Sequence, residues 1–382
     1  MILTKRLMMR RLAMHRLAAV LLMCLTLMSA VSCKGGKKTA EGVQKRDGVF
    51  TVALLINGNL GDKSFYDSAN NGMLMIKDGL GCHIKVVEAG YDESKWEPAL
   101  RDICDENYDI VITGTSSMTD IVSKVAPDYP DQKIIVYDTA VDYSADTAGV
   151  FKNTYSMEYK QNEGSYLAGT LAACMSQNGI IGFIGGMDDM IIRDFLVGYI
   201  QGAKDTNATV KVIHSYVGSW SDSAKAKELT FAQYQMGADV VFSVAANAGE
   251  GVLQASKEQN HLVIGVDSDQ AMLHEASDPA MAALIMSSML KRVDQSIYLA
   301  VERANKGTLT WGSREEFGII DDCVGLADNT IYQKTVPEDV RGIITDKANR
   351  IKEKQIEVLS SFAMDNSAFT SYVDAVHPNK KF

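Results

Sequence analysis

The chain has 382 residues, 46% of them hydrophobic, with 38 basic and 48 acidic side chains, enough for two domains of ordinary size with substantial cores. The first 32 residues carry five of the basic residues and no acid, so the remainder has a formal charge of about −15. That balance argues against nucleic acid as a partner, and so apolar a composition excludes a disordered chain.

Lys5, Arg6, Arg10, Arg11 and Arg16 precede an apolar run from Leu17 to Val31, too short for a comfortable membrane span but suited to a signal peptide over residues 1–32. Ala30-Val31-Ser32-Cys33 is similar to a bacterial lipobox, with Ala30 in place of the usual Leu. Cleavage before an acylated Cys33 is the expectation, and a plain secretory cut nearby is the alternative. Cys82, Cys104, Cys174 and Cys323 then remain, with no CxxC spacing, which favours buried free thiols while leaving pairing open. Residues 33–48 are polar, rich in Gly and Lys, and read as a tether.

The folded body begins at Val49. Strands are expected at Phe50–Ile56, Cys82–Glu88, Ile110–Gly114 and Lys133–Tyr137, the last ending at Asp138. Helices alternate with them: one opens at Phe65, with Tyr66, Ala69, Met73, Ile76 and Leu80 on one face, and others span Trp96–Asn107 and Met118–Ala126. A second series starts with a helix over Tyr159–Ser176. It continues with strands at Ile180–Ile184 and Val210–Tyr216 and helices near Ile191–Lys204 and Ser223–Met236.

Residues 237–270 are the clearest unit. A buried strand, Val240–Ala245, leads through a glycine-loosened turn, Asn247–Gly251, into a helix, Val252–Gln259, and a second buried strand, Leu262–Val266. Ligands of such units gather beyond the carboxyl ends of the parallel strands, which puts the turn, Asp267 and Asp269 on one rim. Later elements are a strand at Ala282–Met289, a helix at Lys291–Lys306, strands at Phe317–Leu326 and Ile331–Tyr332, and a closing helix at Pro337–Ser360. The fold class is α/β: two doubly wound parallel-sheet lobes with a cleft between them.

Six stretches in order carry a resemblance: Gly61-Asp62-Lys63-Ser64-Phe65, Glu163–Gly169, Ile181–Met187, Tyr216–Trp220, Gly237–Phe242 and Gly265–Gln270. Together they make the chain resemble the basic membrane protein family, also called the purine nucleoside receptor family, of bacterial substrate-binding lipoproteins. The resemblance implies a type I periplasmic-binding fold, a nucleoside ligand, delivery to ABC permease subunits, a membrane-attached lipid anchor at the cell envelope, a monomer and no cofactor. It also implies chain exchange between lobes, with residues 49–152 plus 269–318 in one, residues 153–268 plus 319–360 in the other, three hinge crossings, and a tail at 361–382.

By the same resemblance, Phe65 and Trp220 stand where two aromatic rings sandwich a base, and Asp138 where the base edge is read. A carboxylate accepts hydrogen bonds only, so Asp138 favours the N1–H and amino donors of guanine, or the N1–H of hypoxanthine, over the bare N1 of adenine. Asp267 and Lys291, with the backbone around Asn247 and Gly249, are the candidates for the ribose: a carboxylate for vicinal hydroxyls, and an ammonium that offsets its charge. Asp62 is either a ligand contact or a helix cap. Core packing is the bland alternative for each ring, and capping for each acid. The chain departs from the family pattern at Tyr66, Trp220 and Ala246-Asn247.

Two rival readings remain. A type I binding protein for a sugar or another small metabolite uses the same residue types. A metal-dependent nucleoside hydrolase would place Asp62, Asp267 and Asp269 around a cation, but no HExxH, P-loop or GxSxG pattern accompanies them.

Overall fold

The computed structural model describes residues 48–146 and 148–379. The signal peptide, Cys33 and all but the end of the tether lie outside the described residues. In chain order, β1 (Thr51–Ile56), α1 (Phe65–Leu80), β2 (His83–Glu88), α2 (Trp96–Asp105), β3 (Ile110–Gly114), α3 (Thr119–Val125), β4 (Lys133–Tyr137) and β5 (Thr154–Tyr159) come first. Then follow α4 (Gln161–Met175), β6 (Ile180–Gly185), α5 (Met190–Lys204), β7 (Lys211–Tyr216), α6 (Ser223–Gln235), β8 (Val240–Val244), α7 (Gly249–Gln259) and β9 (Leu262–Asp267). The chain continues through α8 (Gln270–Glu275), α9 (Pro279–Ala282), β10 (Ile285–Lys291), α10 (Val293–Asn305), β11 (Ser313–Phe317) and β12 (Val324–Leu326). It finishes with α11 (Thr330–Thr335), α12 (Glu338–Lys352) and α13 (Asn366–Asp374).

Two six-stranded sheets result, ordered β11-β5-β4-β3-β1-β2 and β12-β10-β9-β8-β6-β7. Every pairing is parallel except that of β12 with β10. β1 is buried along its whole length because helices cover both faces of its sheet. Ala53 and Leu55 join a core with Leu100 of α2 and Val122 of α3, while Leu54 and Ile56 join Met73 of α1 and Ile297 of α10 on the other side. In the second lobe α4 and α5 approach backbone to backbone. A Cβ on Gly202 would lie 1.9 Å from the Tyr166 carbonyl oxygen, so only glycine allows that contact.

The lobe boundaries fall elsewhere than expected. β5 pairs with β4 and belongs to the first sheet, so residues 153–159 are not in the second lobe. β10 pairs with β9 and keeps residues 285–291 in the second sheet rather than the first. The chain therefore crosses at Lys160, at Arg292, and between β11 and β12. The crossings are tied together: Lys160 N–H donates to Phe317 O at 2.9 Å, Arg292 N–H to Cys323 O at 2.8 Å, and the Tyr159 and Ser296 hydroxyls are bonded to each other.

Other expectations change locally. Phe317–Leu326 is not one strand: β11 stops at Gly318, whose N–H meets the Asp321 carboxylate at 2.9 Å, and β12 resumes in the other sheet. Ile331–Tyr332 is helical because Asn329 Oδ1 caps both N–H groups, at 2.9 and 2.8 Å. The closing helix ends at Lys352 rather than Ser360, and α13 lies in the tail. Cys82, Cys104, Cys174 and Cys323 are free thiols, with burial pushing each one's pKa up.

Candidate functional site: a cleft between two sheets

A cavity of about 560 Å³ lies where carboxyl ends of strands from the two sheets meet. The first lobe contributes Asn57, Phe65, Tyr66, Thr115 and Asp138, and the second Asp189, Trp220, Ala246, Asp267 and Lys291. Four of these residues lie at or just past a strand end with positive φ: Thr115 (80°), Asp138 (62°), Ala246 (46°) and Asp267 (65°). For residues with a Cβ that conformation costs about 1 kcal/mol or more each, and strain of this kind concentrates at ligand sites. It lets each chain turn sharply at the rim.

The charged centre is Lys291, the last residue of β10, immediately before the second crossing. Its side chain is 2% exposed, and its ammonium is ion-paired with the Asp138 carboxylate of the other lobe. The same nitrogen lies 5.4, 5.3 and 5.2 Å from the ring centroids of Phe65, Tyr159 and Phe195, within cation–π range. Lys291 was expected beside Asp267, but its direct partner is Asp138. Asp267 instead accepts a hydrogen bond from Ser64 Oγ at 2.6 Å across the lobe boundary.

Burial raises the Asp138 carboxyl above its usual range, with Lys291 opposing. Burial also pushes Asp267 up to about 7, against the pull of Lys291 and the Ser64 hydroxyl. Asp189 rises for the same reason, though its carboxylate caps α5 by accepting from Ile192 N–H at 2.9 Å.

Phe65 opens α1 and packs on Tyr137, centroids 5.5 Å apart and planes tilted by 34°. Trp220 follows β7 and lies over Gly186, where a Cβ would sit 2.4 Å from its ring carbons. The two rings belong to opposite lobes and line the same cavity.

Five of the eight candidates for ligand contact therefore line one space: Phe65, Asp138, Trp220, Asp267 and Lys291. Three do not. Asp62 is 1% exposed and accepts from the N–H groups of Ser64, Tyr66 and Asp67 at 3.1, 2.9 and 3.0 Å, so it is the cap that aims Phe65. Asn247 sits in a 3₁₀ turn whose first residue, Ala246, reaches the cavity in its place, and Gly249 begins α7. Asp269 caps α8 and accepts from Asn329 Nδ2 at 2.7 and 2.9 Å, so it does not join Asp267 around a cation. Among the described residues no cluster of three or more His, Cys, Asp or Glu is placed to hold a metal ion.

Sequence reasoning missed Asn57, Thr115 and Asp189. Thr115 follows a strand end, a position the general rule for α/β sheets flags, but Asn57 reaches the cavity only because Tyr66 Oη and Thr115 Oγ1 orient its amide.

A family profile described as "ABC transporter substrate-binding protein PnrA-like" matches residues 49–360. The chain belongs to the Bmp family. Basic membrane protein D of Borreliella burgdorferi is 26% identical over 355 residues, covering 92% of this chain and 96% of that protein. The CD4+ T-cell-stimulating antigen of Listeria monocytogenes is 26% identical over 343 residues, covering 86% and 92%. Among solved structures, an ABC transporter solute-binding protein of Aeropyrum pernix superposes with a TM-score of 0.74 at 23% identity, covering 86% of this chain and 97% of that one. A transcriptional activator of the comK gene from Bacillus halodurans gives 0.66 at 23%, covering 80% and 99%. Identities this low carry the fold alone, which is that of the type I periplasmic-binding proteins. As a Bmp-family member the chain is the substrate-binding component of an ABC transporter. Among the described residues no helix is long and apolar enough to cross a membrane.

Proposed function

We propose that this Bmp-family protein binds a purine nucleoside, of guanosine or inosine type, between its lobes and hands it to the permease subunits of an ABC transporter. The observation that carries the reading is the placement of Phe65 and Trp220 on one cavity from opposite lobes, with the Asp138–Lys291 pair and Asp267 beside them. A flat base needs two faces, an edge reader and a polar partner for its sugar, and these residues supply all four. The cavity, about 560 Å³, falls within the range of small-molecule sites.

Asp138 retains an oxygen that Lys291 does not hold, and that oxygen accepts from guanine N1–H and its amino group. Asp267 has one oxygen on Ser64 and the other available to the ribose hydroxyls. Lys291 has spare N–H donors for the same hydroxyls. Closure proceeds about the three crossings without any chemistry on the ligand. Outside the described residues, a lipid on Cys33 would hold the monomer at the cell envelope.

Calorimetry of the purified chain against guanosine, inosine, adenosine, ribose and D-allose tests this. Guanosine and inosine are expected to bind roughly tenfold or more tighter than adenosine, a difference of about 1.4 kcal/mol for mismatching one charged acceptor, with no measurable ribose binding. Tight sugar binding without any nucleoside heat would overturn it.

A further inference from the structure

The cavity wall is short of positive charge. Beyond the Lys291–Asp138 pair it carries Asp267, Asp189 and Glu93, and among the described residues no second lysine or arginine lines it. Asp188 is also present, but Arg193 holds it with nitrogen–oxygen distances of 2.6 and 3.1 Å. Asp267, Asp189 and Glu93 have no ion-pair partner among the described residues. Burial raises the carboxyls of Asp138, Asp189 and Asp267 together, and a cation bound among them would draw them back toward the charged form.

The rings add a second, independent observation. Phe65 already faces the Lys291 ammonium, whereas the half-buried Trp220 indole meets no other ring and no cation among the described residues. Indole is the strongest of the aromatic side chains for binding a cation. An open indole face over a negatively charged wall fits a flat ring bearing positive charge better than a neutral one.

We propose that the ligand of this cavity is a nucleoside with a cationic base, an N-alkylated purine of which N7-methylguanosine is the simplest that keeps N1–H and the amino group for Asp138. The proposal rests on the nucleoside reading above and narrows it. A positively charged imidazolium ring on Trp220 gains the attraction of the indole quadrupole as well as stacking. It also adds positive charge beside Asp189 and Asp267, which feel the Lys291 ammonium but form no ion pair with it. The same wall repels phosphate, so nucleotides are rejected.

Calorimetry of the full chain with guanosine and N7-methylguanosine, in mildly acidic buffer where the N1–H that N7-methylation acidifies stays in place, tests it. The methylated nucleoside is expected to bind roughly tenfold tighter or more, corresponding to a desolvated cation–π and charge contribution. Asp189→Asn keeps the helix cap, since Asn caps as well as Asp, and is expected to shrink that ratio severalfold. Equal or weaker binding of the methylated form, with guanosine still bound, overturns the proposal and leaves the nucleoside reading standing. No heat from either nucleoside overturns both. A preference undiminished in Asp189→Asn and also in Asp267→Asn assigns it to the methyl group's contacts and likewise overturns the role of charge.

Discussion

Lys291→Met removes the ammonium that faces two buried carboxylates at the junction of the lobes, while keeping an apolar stem among Phe65, Tyr159 and Phe195. Asp138 is then left without its partner, and truncating one member of a buried pair costs about 3–5 kcal/mol. The cost depends on pH, because Asp138 and Asp267 can escape it by taking up protons. With Lys291 present Asp267 already sits at about 7, and without it both acids rise further. The loss is therefore expected to be roughly 1 kcal/mol of altered packing near pH 5 and to be clearly larger at about pH 8. Urea unfolding followed by tryptophan fluorescence at both pH values measures it. Adding Asp138→Asn should recover about half of the loss at the higher pH, because the uncompensated charge is gone. A loss independent of pH, or one that Asp138→Asn fails to relieve, would refute the reasoning.

Two further outcomes follow from the same geometry. Trp220→Ala should weaken guanosine binding by about 1–3 kcal/mol, roughly five- to 150-fold, while lowering the melting temperature only modestly, since the half-buried ring lies over Gly186 at the cavity and meets the core from its edge; unchanged affinity in calorimetry removes the stacking role. Asp267 ionises at about 7 in the folded protein against an ordinary 3.8. The folded state therefore holds this proton more tightly than the unfolded chain, and the stability it contributes is full below about pH 4 and is lost as pH rises to about 7. Asp267→Asn should flatten that part of the melting-temperature profile, and an unaltered slope contradicts the assignment.

Much of the fold was legible because parallel strands buried on both faces read as short apolar runs between amphipathic helices, as at β1, β3, β8 and β9. β5 was missed although Tyr155, Met157 and Tyr159 alternate with polar neighbours. Its Thr, Ser and Glu resemble a loop until β4 and β11 enclose it on both sides. That one strand moved the first lobe boundary. In the site, Phe65, Trp220 and Asp138 were named from the family resemblance and Asp267 from its place after a buried strand, and with Lys291 they line one cavity. What could not be read was pairing across the lobes. Lys291 meets Asp138, 153 positions away, and Ser64 meets Asp267, 203 positions away, and both depend on how the two sheets face each other. Asp62, open in the sequence between ligand contact and helix cap, is the cap: its three bonds to backbone N–H groups make it part of the scaffold that aims Phe65.

The central claim, that two rings from opposite lobes grip one flat base, is tested most directly by a crystal structure of the chain grown with guanosine. The account predicts the purine between Phe65 and Trp220, its N1 edge on Asp138 and its ribose hydroxyls on Asp267 and Lys291. A base bound elsewhere, or a ribose in the place of the base, would contradict it.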